Sequence, residues 1–182
     1  MLLYIVIGII ALILLYVFVT YNSFVGLKNR VEEAFSTMDV YLKKRWDLIP
    51  NLVETVKGYA KHEESVIEEV TKLRTASYDN MSDKDKVEVN QKLSQGINKL
   101  IAVGEAYPEL KANENFNNLS DQLQKVEEDI ANARKYYNAN VRNMNDKVQM
   151  FPSNIIANMF GFKSKEMFEV DEAQRENVKV EF

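Results

Sequence analysis

From Leu2 to Val19 the chain is apolar and carries no charged side chain; beyond Tyr21 the uniform run gives way to apolar positions recurring every three or four residues. The uniform run predicts a membrane-spanning helix, since about 20 helical residues cover the roughly 30 Å of a bilayer's hydrocarbon. Leu2, Leu3, Ile5, Leu12, Ile13, Leu14, Leu15 and Val19 would face lipid, with Tyr4 and Tyr21 at its two interfaces. After it, Phe24, Leu27, Val31, Ala34 or Phe35, Met38 and Leu42 make the stripe of an amphipathic helix. A second stripe runs through Leu52 or Val53, Val56, Ala60, Val66 or Ile67, Val70 and Leu73, and a third through Val87, Leu93, Ile97, Leu100, Ile101 and Tyr107. The fourth has the 3-4 alternation of a coiled coil: Phe116, Leu119, Leu123, Val126, Ile130, Ala133 and Tyr137, continuing through Val141, Met144 and Val148 to Phe151.

The breaks between stripes predict the topology. Pro50 lacks an amide hydrogen and disfavours helical geometry at Ile49, so a turn is expected over Asp47 to Asn51. A single helix kinked at Pro50, leaving three helices, is the alternative. Asp79 to Asp83 is turn-like, with Ser82 or Asp83 as a helix cap, and Pro108 and Pro152 end the third and fourth segments. The expected fold is all-α, an N-terminal transmembrane helix continuing into an up-and-down four-helix bundle. Its divisions are an anchor over 1–21, a bundle over 22–151, and a short apolar segment with a tail over 152–182. Asn154 to Phe162 is too short to span and is expected to pack on the bundle, the alternatives being the membrane interface or another subunit. The charged tail ends in Val178 to Phe182, which can pair as a strand.

Composition narrows the function. A net charge of -4 over 182 residues lacks the basic excess of many nucleic-acid binders, so no nucleic-acid partner is expected. There is no cysteine and one histidine, which removes disulfides, thiolate metal sites and a di-metal helical site built within one chain. His62 starts a His-Glu motif but lacks the second histidine of a zinc-protease helix, and reads as a surface residue. Acidic pairs such as Glu63-Glu64 and Glu127-Glu128 point about 100° apart on a helix, the pattern of a solvated face rather than of converging carboxylates. No nucleophile elbow, phosphate loop or dinucleotide fingerprint occurs. The expectation is therefore no catalytic residue, no cofactor, no metal ligand and no small-molecule substrate.

Charge also suggests orientation. No Lys or Arg precedes the apolar run, whereas Lys28 and Arg30 follow it closely, so the amino terminus is expected outside and the larger domain in the cytoplasm. The absence of a basic region before the run and of an Ala-x-Ala site after it favours an uncleaved anchor over a signal peptide. Two surfaces are candidates for a protein partner or for self-association. Lys43, Lys44, Arg45 and Trp46 would be displayed around the Pro50 turn, about 40 Å from the bilayer on an upright helix. Asn138, Asn140 and Arg142 lie in an asparagine-rich run that is costly in a helix. Solvent exposure is expected for most of that run, the alternative being a buried Asn140 that sets helix register.

Particular motifs then point to a family. Leu27-Lys28-Asn29-Arg30-Val31-Glu32-Glu33-Ala34, Asp47-Leu48-Ile49-Pro50-Asn51-Leu52-Val53-Glu54 and Val56-Lys57-Gly58-Tyr59-Ala60-Lys61-His62-Glu63 resemble bacterial LemA proteins. Tyr107-Pro108, Asn115-Phe116, Ile130-Ala131, Ala133-Arg134, Tyr137-Asn138, Phe151-Pro152 and Gly161-Phe162 extend the resemblance, which covers about residues 21 to 169. It implies a single-pass bacterial membrane protein with a four-helix bundle and no enzymatic activity, in a family that includes a magnetosome-membrane protein. The expected function is a non-catalytic membrane-anchored scaffold, a homo-oligomer that organises or shapes the bilayer. The alternative is a signalling adaptor whose cytoplasmic bundle binds a protein partner.

Overall fold

The computed structural model describes residues 1–60, 63–74 and 77–168. Its helices are α1 (Leu2–Lys57), α2 (Glu64–Lys72), α3 (Asp83–Ala106), α4 (Pro108–Lys111), α5 (Glu114–Gln149) and α6 (Ser153–Phe160), with a 3-10 turn over Tyr78–Asn80. Among the described residues there is no strand, so the all-α expectation holds. The tail and its Val178 to Phe182 end lie outside the described residues, as does His62.

The turn expected at Pro50 does not form. α1 runs through Pro50 without interruption, so the helix boundary placed at Asp47 to Asn51 is corrected to the Lys57 end of α1. A proline inside a helix costs about 3 kcal/mol. Against that stand Ile49, Leu52, Val53 and Val56, all buried on one side. Each such side chain contributes about 1.5–3 kcal/mol, and together they outweigh the proline. Leu42, Trp46, Ile49, Val53 and Val56 keep the 3-4 spacing across Pro50, and that unbroken phase is what the turn reading overlooked. The chain turns instead just beyond Lys57, where the Tyr59 and Ala60 amides both donate to the Val56 carbonyl, at 3.0 and 2.9 Å.

The chain forms two compact units, one of residues 37–132 and one of 1–36 with 133–182. In the 37–132 unit, contacts give each helix its direction. Asp39 of α1 meets Lys86 of α3 and Arg45 meets Asn90 and Ser94, so α1 and α3 run parallel. Glu69 of α2 meets Lys99, and Val70 packs against Gly96, so α2 runs against α3. Ser94 meets Glu127 of α5 and Gly104 packs on Phe116, so α5 also runs against α3. This is the expected up-and-down arrangement of four helical stretches, with α2 shorter than its stripe suggested. Ser82 caps α3, accepting from the Asp85 amide at 3.2 Å. Gly104 is required for α5 to approach, because a methyl there would lie within the Phe116 ring.

In the other unit, the early part of α1 and the late part of α5 pack antiparallel. Phe35 lies 6.0 Å from Tyr137 in ring-centroid distance, and the Lys147 ammonium donates to the Ser23 hydroxyl. Phe24, Val31, Ala34, Tyr137, Val141 and Met144 make the core, joined by Ile156 and Ala157 of α6. Gly161 then takes a left-handed conformation, φ 75°, which glycine adopts without steric penalty, and the chain turns back along α5.

Candidate functional site

Polar side chains fill demanding positions in both units. In the 37–132 unit, Arg45 occupies the core stripe between Leu42 and Ile49 and is 1% exposed. A buried guanidinium is costly unless its donors are met. Here they are. Nε donates to Asn90 Oδ1 at 3.1 Å, Nη2 to the same oxygen at 3.0 Å and to the Asn90 carbonyl at 2.6 Å. Nη1 donates to Ser94 Oγ at 2.6 Å and to the Glu127 carboxylate. Asn90 is itself fixed, since its Nδ2 donates to the Lys86 carbonyl at 2.8 Å and leaves Oδ1 turned to the arginine. One side chain of α1 thereby joins α3 and α5.

Beside this centre lies a cavity of about 250 Å³, with Ile97, Ile101 and Leu123 on its apolar wall and Arg45, Ser94 and Glu127 on its polar side. The Ser120 hydroxyl, also in the lining, is buried without a hydrogen-bond partner. A second network surrounds Tyr78, whose hydroxyl donates to Asp39 Oδ1 at 2.6 Å while Lys86 Nζ pairs with Oδ2 at 2.9 Å. Burial, and then the neighbouring Asp39 carboxylate, push the Tyr78 phenol well above its ordinary range. Trp46 packs 5.4 Å from the Tyr78 ring and carries the Arg74 guanidinium 5.0 Å over its own. Burial lowers the Arg74 pKa, against an opposing pull from Asp47. The Tyr78 and Arg74 contacts bind the α2–α3 connection to α1, and the Lys86–Asp39 pair joins α3 to it. Among the described residues, no three His, Cys, Asp or Glu side chains gather to hold a metal.

In the other unit, two asparagines hold backbone. Asn138 Nδ2 donates to the Phe168 carbonyl at 2.8 Å, and its Oδ1 accepts from the Phe168 amide at 2.9 Å. Asn145 makes the same pair of bonds with Lys165, both at 2.8 Å. The spacing explains the match. Seven residues of α-helix rise about 10.5 Å, and three steps of extended chain cover about 10 Å. Asn140 is 7% exposed and donates to the Tyr136 carbonyl at 2.9 Å.

The sequence-predicted partner surface is therefore redrawn. Arg45 and Trp46, at 1% and 5% exposure, face the core, and with no turn at Pro50 there is no tip on which to display them. Lys43 pairs with Asp47 at 2.6 Å, and Lys44 is exposed. Asn138 is engaged with Phe168 and Asn140 is buried, as the alternative for that position had it, while Arg142 remains exposed. Sequence reading missed Asn90, Ser94 and Glu127 as the partners of Arg45. The available signal was Arg45 itself, a charge set in core phase among Met38, Leu42 and Ile49. The residues assigned to the anchor lie on α1 with their side chains outward, from Leu2 at 78% exposed to Val19 at 57%. This is one helix long and apolar enough to cross a membrane, and it fits membrane anchoring.

The LemA family model matches residues 34–182. Magnetosome protein MamQ 2 of Paramagnetospirillum magneticum is 24% identical over 175 residues, covering 82% of this chain and 64% of the relative. Protein LemA of Metamycoplasma hominis is 23% identical over 158 residues, covering 86% of this chain and 72% of the relative. Magnetosome protein MamQ of Magnetospirillum gryphiswaldense is 22% identical over 174 residues, covering 81% and 64% respectively. The chain thus spans 64% of the length of each of these magnetosome relatives.

Proposed function

The chain belongs to the LemA family, and from that premise we propose that it is a non-catalytic, single-pass scaffold of the bacterial cell membrane that self-associates and organises or shapes the bilayer. One observation carries the reading: α1 presents an exposed apolar surface over its first turns and continues unbroken into the helical bundle. A surface of that kind in water would be a severe aggregation liability, whereas in lipid it is satisfied. The polar groups with the most exacting geometry, Arg45 with Asn90 and Asn138 with Phe168, are spent on holding helices and backbone in place, as suits a scaffold. The likeness to proteins named for the magnetosome supports a membrane-organising role. Lys28 and Arg30 support a cytoplasmic bundle and an outside amino terminus.

Native mass measurement of the detergent-extracted protein tests self-association: particles of more than one copy are expected, and a strict monomer at all concentrations overturns it. The adaptor reading rests on an open polar cleft in the 37–132 unit, lined by Asn51, Glu54, Thr55, Asn115, Asn118 and Gln122. Proximity labelling separates the two, since a scaffold mostly labels itself and an adaptor labels one dominant other protein.

A further inference from the structure

Outside the anchor, exposed large apolar side chains among the described residues are unevenly placed. Val40, Tyr59 and Tyr136 stand singly, whereas Met150, Phe151, Ile155, Met159 and Phe160 crowd around α6. α6 buries Ser153, Ile156 and Ala157. Ile155 and Met159, one turn apart, point away from that face at 55% and 61% exposed, and Phe151, in the turn before α6, is 80% exposed. No residue of α6 is charged. Exposed to water, such a patch is a liability that calls for a covering phase.

Its position identifies the cover. Phe160 stacks edge-on to Tyr21 at 4.8 Å, and Val17, within the apolar run, packs on the same cluster as Ile156 and Ala157. α6 therefore lies beside the last turn of the anchor. The antiparallel pairing of α5 with α1 agrees, because Lys147, two residues before the end of α5, meets Ser23 just past the apolar run. Exposed Lys163 follows just past Gly161, where a cation suits anionic headgroups.

We propose that α6 is an interfacial helix whose Ile155 and Met159 insert, with Met150 and Phe151 of the preceding turn, among the acyl chains of the leaflet that α1 leaves. Interfacial helices of this type bury their apolar face about 5–10 Å into the headgroup and acyl boundary. Each copy then displaces lipid in one leaflet by more than one helix's width, a wedge. The inference rests on the anchoring reading, and the test separates the two.

Because the chain has no cysteine, single-cysteine variants of the full-length protein take one fluorescent label each. Leu14→Cys, Ile155→Cys, Met159→Cys and Glu32→Cys are labelled and reconstituted in phosphatidylcholine–phosphatidylglycerol vesicles carrying a nitroxide near the headgroup or near the bilayer centre. Labels at 155 and 159 are expected to lose emission to the shallow nitroxide more than to the central one. The label at 14 should lose it to the central nitroxide, and the label at 32 to neither. Quenching at 14 without quenching at 155 and 159 overturns the wedge and leaves the anchor standing. No quenching at 14 removes the anchor, and the wedge with it. Labels at 155 and 159 that are shielded from aqueous iodide yet unquenched by either lipid indicate a second copy as the cover, which also overturns the wedge.

Discussion

The two units use polar side chains in opposite ways. In the 37–132 unit the charge is inside: Arg45 occupies a core position, and its donors are met by side chains and backbone of neighbouring helices. In the unit formed by 1–36 and 133–182, no charged side chain is buried among the described residues and large apolar side chains stand outside, while Asn138 and Asn145 bind the backbone of the segment after α6. The contrast teaches where each part finds its solvent. A unit bounded by water can keep a buried ion only if it is fully satisfied. A unit that borders lipid can expose leucine, phenylalanine and methionine freely but must settle its backbone polar groups internally.

The sharpest way to break this contrast is to leave the buried arginine without partners. Asn90→Ala removes the side-chain acceptor of two guanidinium bonds and should cost about 3–5 kcal/mol. Denaturant unfolding followed by emission of Trp46, the single tryptophan, reads this loss in the unit that contains it. Arg45→Met combined with Asn90→Leu, which removes both members of the buried pair while keeping bulk, should cost much less by comparison. A large loss for both would mean that the pair is valued for its charge.

Next in size is the close approach at Gly104. Gly104→Ala pushes a methyl into the Phe116 ring and should destabilise the same transition by about 1–3 kcal/mol. Asn138→Ala together with Asn145→Ala should lose about 1 kcal/mol per hydrogen bond locally and leave the Trp46 transition unchanged. Hydrogen exchange at the Lys165 and Phe168 amides should rise, and this is the mark that distinguishes the two units.

The smallest effect is a pH dependence. Because the folded Tyr78 phenol titrates above the unfolded one, its contribution is fully present below about pH 10 and is lost progressively as pH rises further, where only the unfolded chain releases the proton. Tyr78→Phe should flatten that alkaline loss in denaturation experiments above pH 10, relative to the wild-type chain.

How much of this was legible in the sequence depended on the kind of signal. Periodic burial was plain, and α3, α5, the Ser82 cap and the apolar first helix follow from it directly. Pro50 misled because a local rule worth about 3 kcal/mol was weighed without the burial on either side of it. The centre at Arg45 was hidden because Asn90, Ser94 and Glu127 come from 45 to 82 residues away along the chain, and spacing within one helix does not reveal which side chains meet across helices. The asparagine run was noticed for its helix cost, but its use as a backbone clamp needed the turn at Gly161, which brings Lys165 and Phe168 alongside α5.

The central claim is that the first turns of α1 lie in lipid while the rest of the same helix builds protein core. Alkaline carbonate extraction of membranes from cells making the full-length chain tests it most directly, with Leu12→Arg/Leu14→Arg as the comparison, each arginine costing about 2.5–3.5 kcal/mol at a span's centre. The account predicts that the wild-type chain stays with the membrane, and that the variant is released with its Trp46 emission unchanged. Release of the wild-type chain into the supernatant would contradict it.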